Sequence, residues 1–251
     1  MSRPLTKFIL PIVFAFFCSV PLAQGEDLMS DVVRANEFYA NKKYQEAADS
    51  YETLRSKGLN NGYLYYNLGN TYIRLGKTGS AILNYIRALK LIPRDENLQA
   101  NLKFAIQKTR DKIEPPPPDT FATLFFWVSD LNLNENMNLA LIINLIFWLN
   151  LVAWFYFRSD ILRLTRNLLF CLLLLAFLSI GVKLHLESSS KTGVVLAKTV
   201  EVKSGVDQNN VTLFELHEGA LVTITDERRD WFEVHLSSKQ KGWIPKTALG
   251  S

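Results

Sequence analysis

The chain has 251 residues, 48% of them hydrophobic and 21% charged, with a formal net charge of +4. That length suits one or two ordinary domains, yet the apolar residues gather into a few runs rather than spreading through one soluble core. Both cysteines, Cys18 and Cys171, lie inside such runs, which excludes a disulfide framework and an exported reactive thiol; the small, scattered positive balance argues against a nucleic-acid surface.

The first run, Phe8 to Ala23, follows Arg3 and Lys7 and precedes Ala23-Gln24-Gly25. Basic start, apolar middle and small residues at the end are the marks of a secretory signal peptide, here spanning 1–25 with cleavage after Gly25. Retention as an uncleaved anchor is the alternative. Phe17 before Cys18 is too large for a lipid-attachment site.

From residue 26 to 114 the sequence repeats. A step of 34 residues takes Phe38 to Tyr72, Asn36 to Asn70, Ala47 to Ala81 and Tyr51 to Tyr85, which is the tetratricopeptide period. The second copy carries Tyr65, Leu68, Gly69, Tyr72, Gly76, Ala81, Tyr85, Ala88 and Pro93 where that motif places them. Small Gly69 and Ala81 let two helices cross closely, Leu68, Tyr72, Tyr85 and Leu89 share apolar faces, and Pro93 ends the pair. The first copy is more degenerate, with Arg34 in the place of Leu68. Asp95 to Ile113 reads as a closing helix, which an open stack needs because each unit buries its apolar face only on a neighbour. The array stops at Pro115-Pro116-Pro117-Pro118, a stiff linker.

Residues 115–138 combine this linker with Phe121, Leu124, Phe125, Phe126 and Trp127, a run too short to cross a bilayer and suited to its interface. Two spans follow, at 139–157 and 168–184, each near the roughly 20 residues a bilayer core requires. Lys183 is placed to reach back to the headgroups. The loop 158–167 holds Arg158, Arg163 and Arg166 against Asp160, while Asp119 to Asn138 has no Lys or Arg. Positive loops stay in the cytoplasm, so the repeats and the tail are expected on the outer side, where the signal peptide also sends the N-terminus. Asn144 and Asn150 offer hydrogen bonds to the second span or to another protein.

Residues 192–251 change period. Val194 to Val202, Val211 to Leu216, Leu221 to Asp226, Trp231 to Leu236 and Lys241 to Pro245 read as five short strands separated by turn residues. Gly219 suits a turn of positive φ. The segments Val200-Glu201-Val202-Lys203-Ser204-Gly205, Asp230-Trp231-Phe232-Glu233-Val234 and Gly242-Trp243-Ile244-Pro245 resemble bacterial SH3-like domains. In such barrels Trp231 and Trp243 are aromatic candidates for ligand contact, and more commonly for packing. The expected architecture is a multi-domain membrane protein: an α-helical tetratricopeptide-repeat solenoid, two transmembrane α-helices and a C-terminal all-β SH3-like barrel.

The order of parts, with Leu216-His217-Glu218-Gly219 in the tail, resembles the aerotolerance-associated Bat membrane proteins in their tetratricopeptide-bearing BatE branch. The resemblance covers nearly the whole chain and rests on the combination, since each motif is shared with other families. It implies a two-pass protein of the bacterial inner membrane with repeat and SH3-like domains in the periplasm. The implied neighbours are Bat-type partners with von Willebrand factor A domains and, indirectly, a MoxR-type ATPase, in an assembly linked to oxygen or stress tolerance.

Enzyme chemistry is not foreseen. His185, His217 and His235 have no metal-ligand spacing, His217-Glu218 lacks a second His at helical distance, and no glycine-rich phosphate loop occurs, so neither catalytic residues nor a cofactor are expected. The candidate site is the inner surface of the repeats. Asn36 with Asn70, and Asn67 with Asn101, form two amide rows that can donate to and accept from an extended peptide, and Arg74 with Lys108 adds positive charge for an acidic group. The expected function is a non-enzymatic membrane scaffold or adaptor. The alternative is a cell-wall anchor or sensor binding peptidoglycan through the SH3-like domain.

Overall fold

A computed structural model of the chain describes residues 25–111, 126–189, 191–237 and 240–250. The predicted signal segment through Gln24, the prolines Pro115 to Pro118, and Phe121, Leu124 and Phe125 lie outside them. The chain divides into two compact units, residues 1–57 and 58–251.

In the first unit α1 (Gly25–Ala40) and α2 (Tyr44–Ser56) form a helical hairpin. Its turn passes through Lys42 at φ 60. Ala35, Ala47, Ala48, Tyr51 and Leu54 are buried between the helices, and the Tyr51 hydroxyl donates to Asn36 Oδ1 at 2.6 Å. At the surface Asp31 takes Lys57 Nζ at 2.7 Å and Arg34 at 3.0 Å.

The second unit opens with α3 (Gly62–Arg74), α4 (Thr78–Leu91) and α5 (Glu96–Gln107). Asn61 and Asp95 cap α3 and α5, their side chains accepting from the Tyr63 and Leu98 amides, which satisfies donors a helix start leaves open. Gly76 turns the chain at φ 72. Close crossing of α3 and α4 depends on Gly69, because a Cβ there would lie 2.5 Å from the Tyr85 ring. Leu68, Ala81, Ile82, Tyr85, Ala88, Leu98 and Ala105 are buried in this three-helix layer.

After the short α6 (Phe126–Asp130) come two long helices, α7 (Leu133–Phe157) and α8 (Asp160–Ser189). Both are long and apolar enough to cross a membrane, α8 over Asp160–Leu186, and little of either is buried. The second of them, α8, outruns its predicted span at both ends, and α7 does so at its start only, ending at Phe157 as predicted. A capping box starts α7 six residues early, with Asn132 accepting from the Glu135 amide and Glu135 accepting from the Asn132 amide. The polar residues after that cap continue the helix. Likewise the expected loop 158–167 shrinks to Arg158, at φ 50, and Ser159. Arg163 and Arg166 sit on the first turns of α8, where Arg163 pairs with Asp160 at 2.9 Å and Arg158 and Arg166 both lie on the Trp154 ring, at 4.8 and 4.7 Å from its centre.

The C-terminal part is one antiparallel sheet of seven strands: β1 (Lys191–Val195), β2 (Thr199–Lys203), β3 (Thr212–His217), β4 (Leu221–Arg228), β5 (Trp231–Ser237), β6 (Gln240–Pro245) and β7 (Leu249–Gly250), in the order β3-β2-β6-β5-β4-β1-β7. The predicted strand Val194 to Val202 is two strands. Its halves serve different neighbours, β1 pairing with β4 and β7, and β2 with β3 and β6, so the chain must break between them at Leu196 to Lys198. Alternate side chains point inward, and Val195, Val202, Leu216, Val222, Val234 and Ile244 make the core.

Candidate functional site

The candidate surface lies on α3 and α5. Asn70 Oδ1 accepts from the Tyr85 hydroxyl at 2.7 Å and from Asn101 Nδ2 at 3.0 Å, and Asn101 Nδ2 also reaches the Tyr66 hydroxyl at 3.1 Å. These amides therefore fasten α3 to α4 and α5. The first unit repeats one part of this: Asn36 holds Tyr51 as Asn70 holds Tyr85. Asn67 is half-buried on α3, and its backbone carbonyl takes the Thr71 hydroxyl at 2.7 Å.

The charged members of the set face outward. Arg74 is exposed in the last turn of α3 and Lys108 is exposed directly after α5. Lys108 Nζ stands 4.3 Å from the centre of the Phe104 ring, which is 50% exposed. A cation over an accessible ring is an arrangement that can receive an acidic, partly apolar segment. Sequence reasoning assigned the charge here and missed the aromatic, although Phe104 lies one helical turn before Lys108 and was open to detection by that spacing.

Two polar joints hold this surface in place. At the first, the predicted tail motif meets the helices: Asp111 accepts the His217 backbone amide at 2.6 Å, and its other carboxylate oxygen lies 2.9 Å from His217 Nδ1. Glu218 Oε1 accepts from the Gly79 amide at 2.8 Å. Lys77, the residue before α4, makes no side-chain cap, so Glu218 caps α4 from across the joint and places a negative charge at a helix N-terminus. The contact is close. A Cβ on Gly79 would lie 2.6 Å from the Val195 carbonyl oxygen, and one on Gly219, which has φ 87, would lie 2.6 Å from Thr109. Val194 is fully buried with Ala81, Ile82 and Leu83. His217, at the end of β3, is thus the centre of the contact between the sheet and the helices.

The second joint ties the long helices to the turn after α4. Arg94 donates to Glu135 at 2.6 Å and to the Asp130 carbonyl at 3.3 Å, and Asn132 Nδ2 donates to the Leu91 carbonyl at 2.8 Å. Beneath them Trp127 Nε1 donates to Ser179 at 3.1 Å, while Lys183 donates to the carbonyls of Val128 at 2.9 Å and Leu131 at 2.5 Å. Lys183 is 8% exposed and closes the end of α6. Further along, Asn150 Nδ2 donates to Thr165 at 2.7 Å, pairing α7 with α8.

On the sheet, Trp243 is buried under Arg228, whose guanidinium lies 5.2 Å from the ring centre, and Trp231 is half-buried. Glu201 accepts from Lys203 at 2.5 Å and from Thr212 at 3.1 Å, and these bonds, the Lys203 one foremost, hold its carboxyl below the ordinary value. Among the described residues no three His, Cys, Asp or Glu side chains are close enough to hold a metal ion. The chain matches no protein-family model and no curated protein.

Proposed function

We propose that the chain is a non-enzymatic, membrane-anchored scaffold that offers the outer face of α3 and α5 to an extended, acidic segment of an envelope protein. The observation that carries the reading is the joint between the helices and the sheet. The helices and the sheet are fastened together by Asp111–His217 and Glu218–Gly79, and two exposed apolar helices, α7 and α8, lie between them in sequence. A chain that must return to its starting point after two apolar helices is what an anchor crossing a bilayer twice requires. In this reading the helical hairpins are tetratricopeptide repeats and the sheet an SH3-like domain. Both stand on the periplasmic side of a bacterial inner membrane, and the Arg158, Arg163 and Arg166 turn stands in the cytoplasm. The Bat-type envelope assembly is the setting we assign to it.

The test is a crosslinked affinity purification of the intact protein from its own membranes in mild detergent, beside an Arg74→Glu/Lys108→Glu variant. Charge reversal at these exposed positions is preferable to changing Asn101, whose loss would loosen α3 from α5. Envelope proteins recovered with the wild type and lost with the variant support the scaffold; the same set recovered with both counts against this face.

A further inference from the structure

Where α7 begins and α8 ends, α4 leaves an open cleft of about 520 Å3 against α6. Leu89 and Pro93 supply an apolar wall, and Lys90, Asp130 and Lys183 supply charge. Lys183 is more than nine-tenths buried, held on the carbonyls of Val128 and Leu131, so a positive charge is fixed in the cleft. Lys90 and Asp130 are exposed beside it. Lys183 lies three residues before the end of the apolar part of α8, Leu186, and Asp130 three residues before the start of α7. On the reading of these helices as spans, that is the level of the headgroups.

We propose that this cleft binds a phospholipid of the ethanolamine type, its phosphate toward Lys90 and Lys183, its ammonium toward Asp130, and its glycerol and first methylenes on Leu89 and Pro93. Two cations and one carboxylate beside an apolar wall match a headgroup that carries both signs. A choline headgroup has no N–H to donate to Asp130, and a glycerol headgroup brings no cation, so the carboxylate selects among lipids that share the phosphate. The cleft is of the size that encloses small ligands, roughly 300–1,000 Å3.

The test uses the full-length chain in nanodiscs of equal parts ethanolamine, choline and glycerol phospholipids, with retained lipid read by native mass spectrometry after release. The wild type is expected to keep the ethanolamine lipid about tenfold over the choline lipid, the worth of one charge-assisted hydrogen bond. Asp130→Asn should erase that preference while retaining phospholipid, because Arg94 uses only the backbone carbonyl of Asp130. Lys90→Glu should lower retention of all three lipids. Retention by the wild type in proportion to the mixture, or an undiminished preference in Asp130→Asn, overturns the proposal. Protein that enters the discs without preference overturns the lipid site alone, whereas protein that does not enter them overturns the membrane reading as well.

Discussion

Glu201 and Asp31 are carboxylates whose acidity the fold lowers. Glu201 is held below its ordinary 4.5 first by the hydrogen bond from Lys203, then by Thr212, and Asp31 below 3.8 first by Lys57. A carboxyl depressed in the folded state contributes stability that is fully present above its unfolded pKa and disappears as pH falls through the folded one. Glu201→Gln is therefore expected to lower the unfolding midpoint of the sheet at neutral pH, with the gap to wild type closing as the pH is taken below 4.5. Denaturation curves at a series of pH values check this, and a gap independent of pH would show that the charge is not what Lys203 stabilises. Glu201 is solvent-exposed, so the effect is small. Asp111 is different in kind, because it and His217 are mostly shielded and it serves two acceptor roles at once. Asp111→Ala should cost about 1–3 kcal/mol, read as faster amide exchange at the β3–β4 turn with α3 and α4 unaffected.

At the scale of elements, the α3–α4 pair depends on the absence of one methyl group. A Cβ at residue 69 would meet Tyr85 at 2.5 Å, and Tyr85 in turn holds Asn70. Gly69→Ala should thus destabilise the second unit by about 1–3 kcal/mol, the usual cost of overpacking, and thermal unfolding followed by helical circular dichroism measures it. This crossing was legible in the sequence, since a step of 34 residues places a small residue and an aromatic where two helices touch. The amide contact was not. Periodicity relates equivalent positions, such as Asn67 and Asn101, whereas neighbouring helices join unlike ones, here Asn70 and Asn101. Hydropathy found the apolar middles of α7 and α8 and the end of α7 at Phe157 but missed where α7 starts, because the Asn132–Glu135 capping box there is built from polar side chains. Strand patterns located most of β1 to β6 but not the two-residue β7, and the break at Leu196 to Lys198 follows from which strands pair. The Asp111–His217 contact joins residues 106 apart in sequence, and no local pattern encodes it.

For the whole molecule, the joint constrains topology. Residues 58–111 and 191–250 touch through Asp111 with His217 and Gly79 with Glu218, so they lie on one side of any bilayer the chain enters. The number of crossings between them is therefore even. Two helices long enough to cross occupy that interval, which on the proposed reading means two crossings with the Arg158–Ser159 turn on the opposite side. The prediction concerns protease sites inserted singly at three places in sealed membrane vesicles: the exposed turn Val206 to Asn209, the exposed Lys57–Gly58 segment, and the Arg158–Ser159 turn. The first two should be cut together or protected together in vesicles of either orientation, and the third should behave oppositely. If all three respond alike, α7 and α8 do not cross, and their exposed apolar faces must be covered by something other than a spanned bilayer. If the first two respond differently from each other, the crossings are odd in number and the joint between α4 and the sheet cannot exist in the membrane, which would remove the observation on which the scaffold reading rests.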